Sequence, residues 1–122
     1  MNSENRQKIL IILNDPPYGS ERPYNGLRLG GALAKQQSVE LKLFLMADAV
    51  GCARAGQDTP RGYYNLERMV SLVTNHGAEV GTCGSCMDAR GLADKDLTDG
   101  VRQSSLEELA SWTSWADKVI VF

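Results

Sequence analysis

The chain has 122 residues, 43% of them hydrophobic and 23% charged, with a formal net charge of -2 at pH 7. That length suffices for one compact core, and we expect a single domain over residues 1–122. The acidic pI near 5.3 and the scattered lysines and arginines argue against the basic surface that a nucleic-acid binder needs. The polar first residues and the short apolar run after them fit neither a signal peptide nor a membrane span. We therefore expect a cytoplasmic protein, without membrane contact, whose three cysteines are reduced thiols.

The first half of the chain reads as two strands separated by a helix and followed by a loop. Residues 9–13 form a run of isoleucine and leucine that is typical of a strand buried on both faces of a parallel sheet. Prolines and a glycine follow, so residues 14–23 are predicted to be a loop. Apolar and small residues then recur every three to four positions, which predicts a helix over 24–37. A second apolar strand is predicted at 39–46, and the glycines and the proline of 48–61 indicate a second loop, with a short helical turn as an alternative at its start.

The second half continues this alternation and ends in a short apolar strand. Apolar spacing between positions 66 and 73 predicts a second helix, which a glycine closes. The remaining strands are predicted at 78–82, 100–103 and 119–122. Within residues 104–108, a serine is followed three positions later by a glutamate, which is the spacing of a capping box. The last helix is therefore predicted to start there and to run to about Trp115. Together these elements predict a three-layer α/β/α sandwich with right-handed crossovers.

Three predicted loops follow strands at the carboxyl edge of the sheet, where ligands gather in open parallel α/β folds. The loops are residues 14–23, 48–61 and 83–91. With the start of the first helix, they hold polar and thiol side chains that are the candidates for a site: Tyr18, Arg22, Asn25, Arg28, Asp48, Cys52, Cys83, Cys86, Asp88 and Arg90. Cys52 is expected to be structural rather than catalytic.

Cys83 and Cys86 carry the strongest chemical signal, because they lie where a strand is predicted to give way to a helix. Backbone amides at a helix N-terminus have no intrahelical partners, and their partial positive charge favours a thiolate. We predict that Cys83 is the nucleophile, near the N-cap position, and that Cys86 lies in the first helical turn within its reach. The alternative is that both are small buried apolar residues.

The other candidates have a functional and a structural interpretation. Arg90 is expected either to hold an anionic sulfur or a partner's carboxylate, or to be a solvated helix residue. Asp88 is expected to cap the helix. Four further side chains are expected to line the rim of a pocket: Tyr18, Arg22, Asn25 and Arg28. Arg28 fits a surface charge on the first helix equally well.

Other uses of cysteine fail on spacing. An anion-binding loop of the phosphatase type needs an arginine at the place that Ala89 occupies. A structural zinc site needs four ligands, and the chain offers one Cys-x-x-Cys pair instead of two. No glycine-rich nucleotide-binding motif is present. We expect neither a metal nor a cofactor.

Three segments together resemble the DsrE/DsrF-like family, in particular its small YchN-type branch. They are CGSCMDARG at 83–91, NDPPYGSER with NGLRL at 14–29, and GV through ADKVIVF at 100–122. The resemblance implies a five-stranded parallel sheet between helices, assembly into homotrimers or hexamers, and intracellular sulfur relay through a cysteine persulfide. Alignment on Arg90 and the glycine after it places Cys83 at the position of the sulfur carrier. The chain departs from the carriers in having Cys86, and in having Ala89 where a further arginine often stands.

We therefore expect an intracellular sulfur-relay protein that carries sulfane sulfur as a cysteine persulfide or acts in thiol redox chemistry, with sulfur donor and acceptor proteins as partners. Cys86 is then either the thiol that resolves the persulfide to a disulfide or a second relay station. The alternative is a non-catalytic oligomeric scaffold that recognises a small anion or a partner tail. Under either hypothesis the apolar last helix and end strand favour a homo-oligomer.

Overall fold

The structure is a computed structural model and describes residues 5–122. In chain order the elements are β1 (Gln7–Leu13), α1 (Arg22–Ala34), β2 (Val39–Leu45), a first 3₁₀ helix (Ala47–Ala53), α2 (Leu66–Asn75), β3 (Glu79–Cys83), α3 (Gly84–Asp88), a second 3₁₀ helix (Asp94–Asp96), β4 (Val101–Ser104), α4 (Leu106–Trp115) and β5 (Lys118–Val121). The first four residues of the predicted domain lie outside the described part of the chain.

The five strands form one sheet in the order β4-β3-β2-β1-β5. Every neighbouring pair is parallel, which confirms the predicted sheet. The three inner strands β1, β2 and β3 each bury most of their residues, unlike the edge strands β4 and β5, because both faces of an inner strand in a parallel sheet are covered. Parallel pairing also brings the loops after β1, β2 and β3 to one edge of the sheet.

Helices cover both faces of the sheet, which confirms the predicted sandwich. On one face α1 packs closely, and a Cβ at Gly30 would lie 3.7 Å from Ile11 and 3.8 Å from Leu41. On the other face α4 places the ring of Trp112 edge-on to that of Phe44, with the ring centroids 5.9 Å apart. After β4 the chain crosses back over the sheet and adds β5 at the opposite edge, beside β1, so the last crossover runs on the opposite face from the first two.

The predicted helix bounds differ from the structure mainly at α1. The helix begins at Arg22, two residues before the prediction, with Pro23 in its first turn. Proline is tolerated there because the amides of the first turn have no helical partner. The helix ends at Ala34 rather than at 37, because the chain turns there to reach β2. The loop predicted at 48–61 starts with the first 3₁₀ helix, in agreement with the helical turn considered for it.

The α4 N-terminus forms half of the predicted capping box. The Ser105 hydroxyl accepts the amide of Glu108 at 3.2 Å. The Glu108 carboxylate does not return to Ser105; it accepts Arg102 Nη2 at 2.9 Å across to β4. This ion pair fastens α4 to the edge of the sheet.

Within residues 5–122, none of the helices combines the length and the apolarity needed to cross a bilayer.

Candidate functional site

The site begins at the junction of β3 and α3, where the strand passes directly into the helix. Cys83 is the last residue of β3 and the N-cap of α3, as predicted. The turn is tight against β4, since a Cβ at Gly84 would lie 2.9 Å from Gln103 Nε2 and 3.0 Å from the carbonyl oxygen of Ser104. Glycine at this position lets the first turn of α3 lie against the edge of β4.

The Cys83 thiol is surrounded by hydrogen-bonding groups of α3. Its Sγ lies 3.3 Å from Ser85 Oγ, although its side chain makes no N-capping hydrogen bond. Burial raises the pKa of Cys83, but hydrogen bonding from Cys86 and Ser85, through both side chains and backbone amides, outweighs burial and leaves the pKa below its ordinary value. The surroundings of Cys83 thus favour its thiolate more than those of an ordinary cysteine do. The residue is 7% exposed.

Cys86 lies one helical turn later, is half-buried, and has the opposite tendency. Burial and the hydrogen bond with Cys83 raise its pKa, against the smaller lowering effects of the Ala47 amide and the Arg90 charge. Ala47 is the one residue other than glycine in the described chain with a positive φ, +50°. Such a conformation is costly for a residue with a Cβ and is often found beside functional sites.

Asp48 and Arg90 form an ion pair that joins two of the predicted loops. Arg90 Nε donates to Asp48 Oδ1 at 2.8 Å, and Arg90 Nη1 donates to the Cys86 carbonyl at 3.0 Å. Arg90 is therefore not a purely solvated residue, and Asp48 already neutralises much of the charge with which it would bind another anion. The ion pair links the end of α3 to the first 3₁₀ helix. Asp88 was expected to cap α3, and this is wrong: it is the last residue of the helix, whose N-cap is Cys83.

Tyr18 lies at the same edge of the sheet but contacts the loop before α2. Its hydroxyl donates to Gln57 Oε1 and accepts the Leu66 amide at 3.2 Å. Gln57 in turn donates to carbonyls of the first 3₁₀ helix, including that of Cys52 at 3.0 Å. Tyr18 is thus linked through Gln57 to the first 3₁₀ helix, which carries Asp48.

The three remaining rim candidates make their polar contacts elsewhere. Arg22 lies 4.0 Å from Asp15. Arg28 donates to Asn25 Oδ1 at 3.3 Å and stands 5.5 Å from the ring centroid of Tyr24. These contacts hold the start of α1 and the loop before it. The structure thus brings together four of the predicted site residues: Asp48, Cys83, Cys86 and Arg90. Within the described chain it shows no polar contact between these four and Arg22, Asn25 or Arg28.

Three residues of the site were not singled out from the sequence. Ser85 lies between the two cysteines, so its place in the motif was a usable signal. Gln57 and Ala47 carry no such signal, because their roles depend on loop geometry. Among residues 5–122, no three His, Cys, Asp or Glu side chains are grouped to hold a metal ion.

Cys52 lies in the core, as its structural assignment anticipated. It is fully buried, and burial raises its pKa to about 12. A thiol in that environment stays protonated and inert.

Comparison with known proteins identifies a family and several relatives. The model of the DsrE/DsrF-like family matches residues 7–122. Protein YchN of Escherichia coli strain K12 is 46% identical over 117 residues, which are 95% of this chain and 99% of that protein. An uncharacterized protein of Methanopyrus kandleri is 35% identical over 114 residues, 93% of each chain.

Solved structures agree with the sequence relatives. The crystal structure of the E. coli ychN protein superposes with a TM-score of 0.90 at 45% identity, over 95% of this chain and 99% of that one. A protein of unknown function from Methanobacterium thermoautotrophicum superposes with a TM-score of 0.71 at 18% identity, over 96% and 99% of the two chains. At that identity the second comparison supports the fold alone.

Proposed function

This chain belongs to the DsrE/DsrF-like family, and from that premise we propose that it is a sulfur-relay protein that carries sulfane sulfur as a persulfide on Cys83. The observation that carries this proposal is the place of Cys83 at the N-cap of α3, with a second thiol one turn away. Amide dipoles at a helix start favour an anionic sulfur. The thiolate that attacks and the terminal sulfur of the persulfide that results are both anionic, so the same surroundings stabilise Cys83 before and after transfer.

The partners in this proposal are a sulfur donor and a sulfur acceptor, and no cofactor takes part. The extra sulfur passes between thiols without a change in oxidation level. We place this chemistry in the cytoplasm, where glutathione and thioredoxin keep thiols reduced.

Mass spectrometry of the reduced protein after brief treatment with inorganic polysulfide tests the proposal. We expect the wild-type protein to gain the mass of one sulfur atom on the motif. Cys86→Ser, in which Cys83 is the one thiol of the motif, should still gain it, and the double variant Cys83→Ser/Cys86→Ser should not. Cys52→Ala is the matched control and should gain sulfur like the wild type. If the motif stays unmodified while a reactive control thiol is labelled, the proposal is wrong.

One observation favours a second candidate, an oligomeric scaffold in which the cysteines only pack. Cys83 is 7% exposed, as is common for unreactive cysteines. The double variant Cys83→Ser/Cys86→Ser separates the two candidates. A scaffold keeps its self-association and its partner binding in this variant, whereas a relay protein loses sulfur uptake.

A further inference from the structure

The two sulfurs of the motif differ in access to solvent. Cys83 belongs to the main core cluster of buried residues, whereas Cys86 is half-buried and packs against the edge of that cluster. A thiol attacks another sulfur along the axis of the bond that breaks, so the attacked group must come into direct contact with it. A donor as large as a peptide can therefore reach Cys86 more readily than Cys83.

The contacts of α3 keep Cys83 in this covered position. Met87 is fully buried, and its Sδ accepts the Thr82 hydroxyl at 3.0 Å. The ion pair between Asp48 and Arg90 holds the other end of the same short helix. Because these contacts hold α3 in place, greater exposure of Cys83 requires α3 to move, whereas Cys86 is already partly exposed.

We propose that Cys86 is the thiol that first accepts sulfur from the donor, and that it passes this sulfur inward to Cys83. This inference rests on the proposed function and adds the route by which sulfur reaches its carrier. Cys83 is the N-cap of α3 and Cys86 lies one turn later in the same short helix, so the second transfer is between neighbouring thiols of one motif.

The two transfers balance in atoms and charge. The Cys86 proton first moves to the Cys83 thiolate. The Cys86 thiolate then attacks the outer sulfur of the donor persulfide; the donor S–S bond breaks, and the donor leaves as a thiolate that takes the proton from Cys83. In the second transfer the Cys83 thiolate attacks the outer sulfur on Cys86; that S–S bond breaks, and Cys86 leaves as a thiolate. No sulfur is oxidised or reduced overall, and no external oxidant takes part.

Initial rates of loading by glutathione persulfide test this route in the single variants Cys83→Ser and Cys86→Ser. Both cysteines lie in the tryptic peptide Met69–Arg90, so the variants assign the modified residue without ambiguity. We expect Cys83→Ser still to load, on Cys86. We expect Cys86→Ser to load on Cys83 about tenfold more slowly than the wild-type protein, because Cys83 must first be exposed by a local opening of that equilibrium size.

The controls separate this inference from the proposed function. Loading of Cys86→Ser at the wild-type rate overturns the route but leaves the carrier function intact, whereas no loading of the wild-type protein overturns both. Cys86→Ala repeats the test without a hydroxyl, and thermal unfolding checks that each variant is folded. A bulky maleimide and small iodoacetamide give a second measurement: the bulky reagent should modify Cys86 faster than Cys83, and equal rates would contradict the inference.

Discussion

Cys83 and Cys86 are the same residue type, yet their surroundings shift their pKa values in opposite directions. Both lose solvation on burial, which raises a thiol pKa. For Cys83, the hydrogen bonds from Ser85 and Cys86 lower the pKa by more than burial raises it, because Cys83 stands at the start of α3. Cys86 supplies one of those hydrogen bonds, so its own proton is retained. Of the two sulfurs, Cys83 is therefore the more readily ionised.

We predict that Ser85→Ala raises the pKa of Cys83, because it removes the hydroxyl 3.3 Å from the sulfur. The midpoint of the pH dependence of iodoacetamide alkylation at Cys83 should move to a higher pH. The sign follows from the chemistry: a lost donor destabilises the thiolate, so a higher pH is needed to form it. Ser111→Ala, at an exposed position of α4, is the matched control. An unchanged midpoint in Ser85→Ala would show that the hydroxyl does not support the thiolate.

The short helix α3 depends on its surroundings for its existence. Five residues are too few for a stable isolated helix. The buried Met87 holds its interior side, and Arg90 returns to the Cys86 carbonyl near its end. At its start Gly84 fits against β4 with no room for a side chain.

Two glycine substitutions are predicted to change stability in opposite directions. Gly84→Ala places a Cβ against the backbone of β4 and should lower the free energy of unfolding by about 1–3 kcal/mol through overpacking. Gly31→Ala, inside α1, meets Leu72 only at 3.4 Å and should raise it by about 0.5–1 kcal/mol, because alanine is the better helix residue. Urea unfolding measures both values. Equal effects of the two substitutions would mean that β4 yields to the added methyl group.

At the scale of the whole molecule, the two faces of the sheet are covered unequally. Of the helices with ten or more residues in the described part of the chain, α1 and α2 pack together on one face and α4 lies on the other. Val119 and Val121 pair in register with Leu10 and Ile12 of β1, and so share the α4 side of the sheet. They are 41% and 62% exposed at the edge strand, which is apolar surface of the kind that partner chains cover.

We predict that the protein self-associates through this edge and that Val121→Lys weakens the assembly. A lysine on an edge strand is charged and opposes pairing with another chain, and at an exposed position it should leave the monomer folded. Light scattering across a concentration series measures the change in mass. Ser111→Lys adds the same charge at an exposed position of α4 and should assemble like the wild type. A wild-type protein that is monomeric at all concentrations would contradict the prediction.

Most of the fold follows from local sequence. Continuous runs of β-branched residues and leucine predicted the main strands. Because predicted strands alternate with segments of helical periodicity, parallel pairing of the strands could also be predicted. Cys83 could be placed at the N-cap because a strand, a glycine and a helix pattern meet there. The start of α1 was missed because Pro23 is compatible with both a loop and a first helical turn.

By itself, the sequence determined the order of the elements, the three-layer class and the pair of thiols at the start of α3, because these depend on residues that are neighbours in the chain. Only the tertiary structure decided that Arg90 pairs with Asp48, that Asp88 ends its helix, that Tyr18 contacts Gln57, and that Cys83 is the more covered of the two sulfurs. Apart from the end of the helix at Asp88, these properties depend on contacts between segments that are far apart in sequence, and local spacing does not determine such contacts.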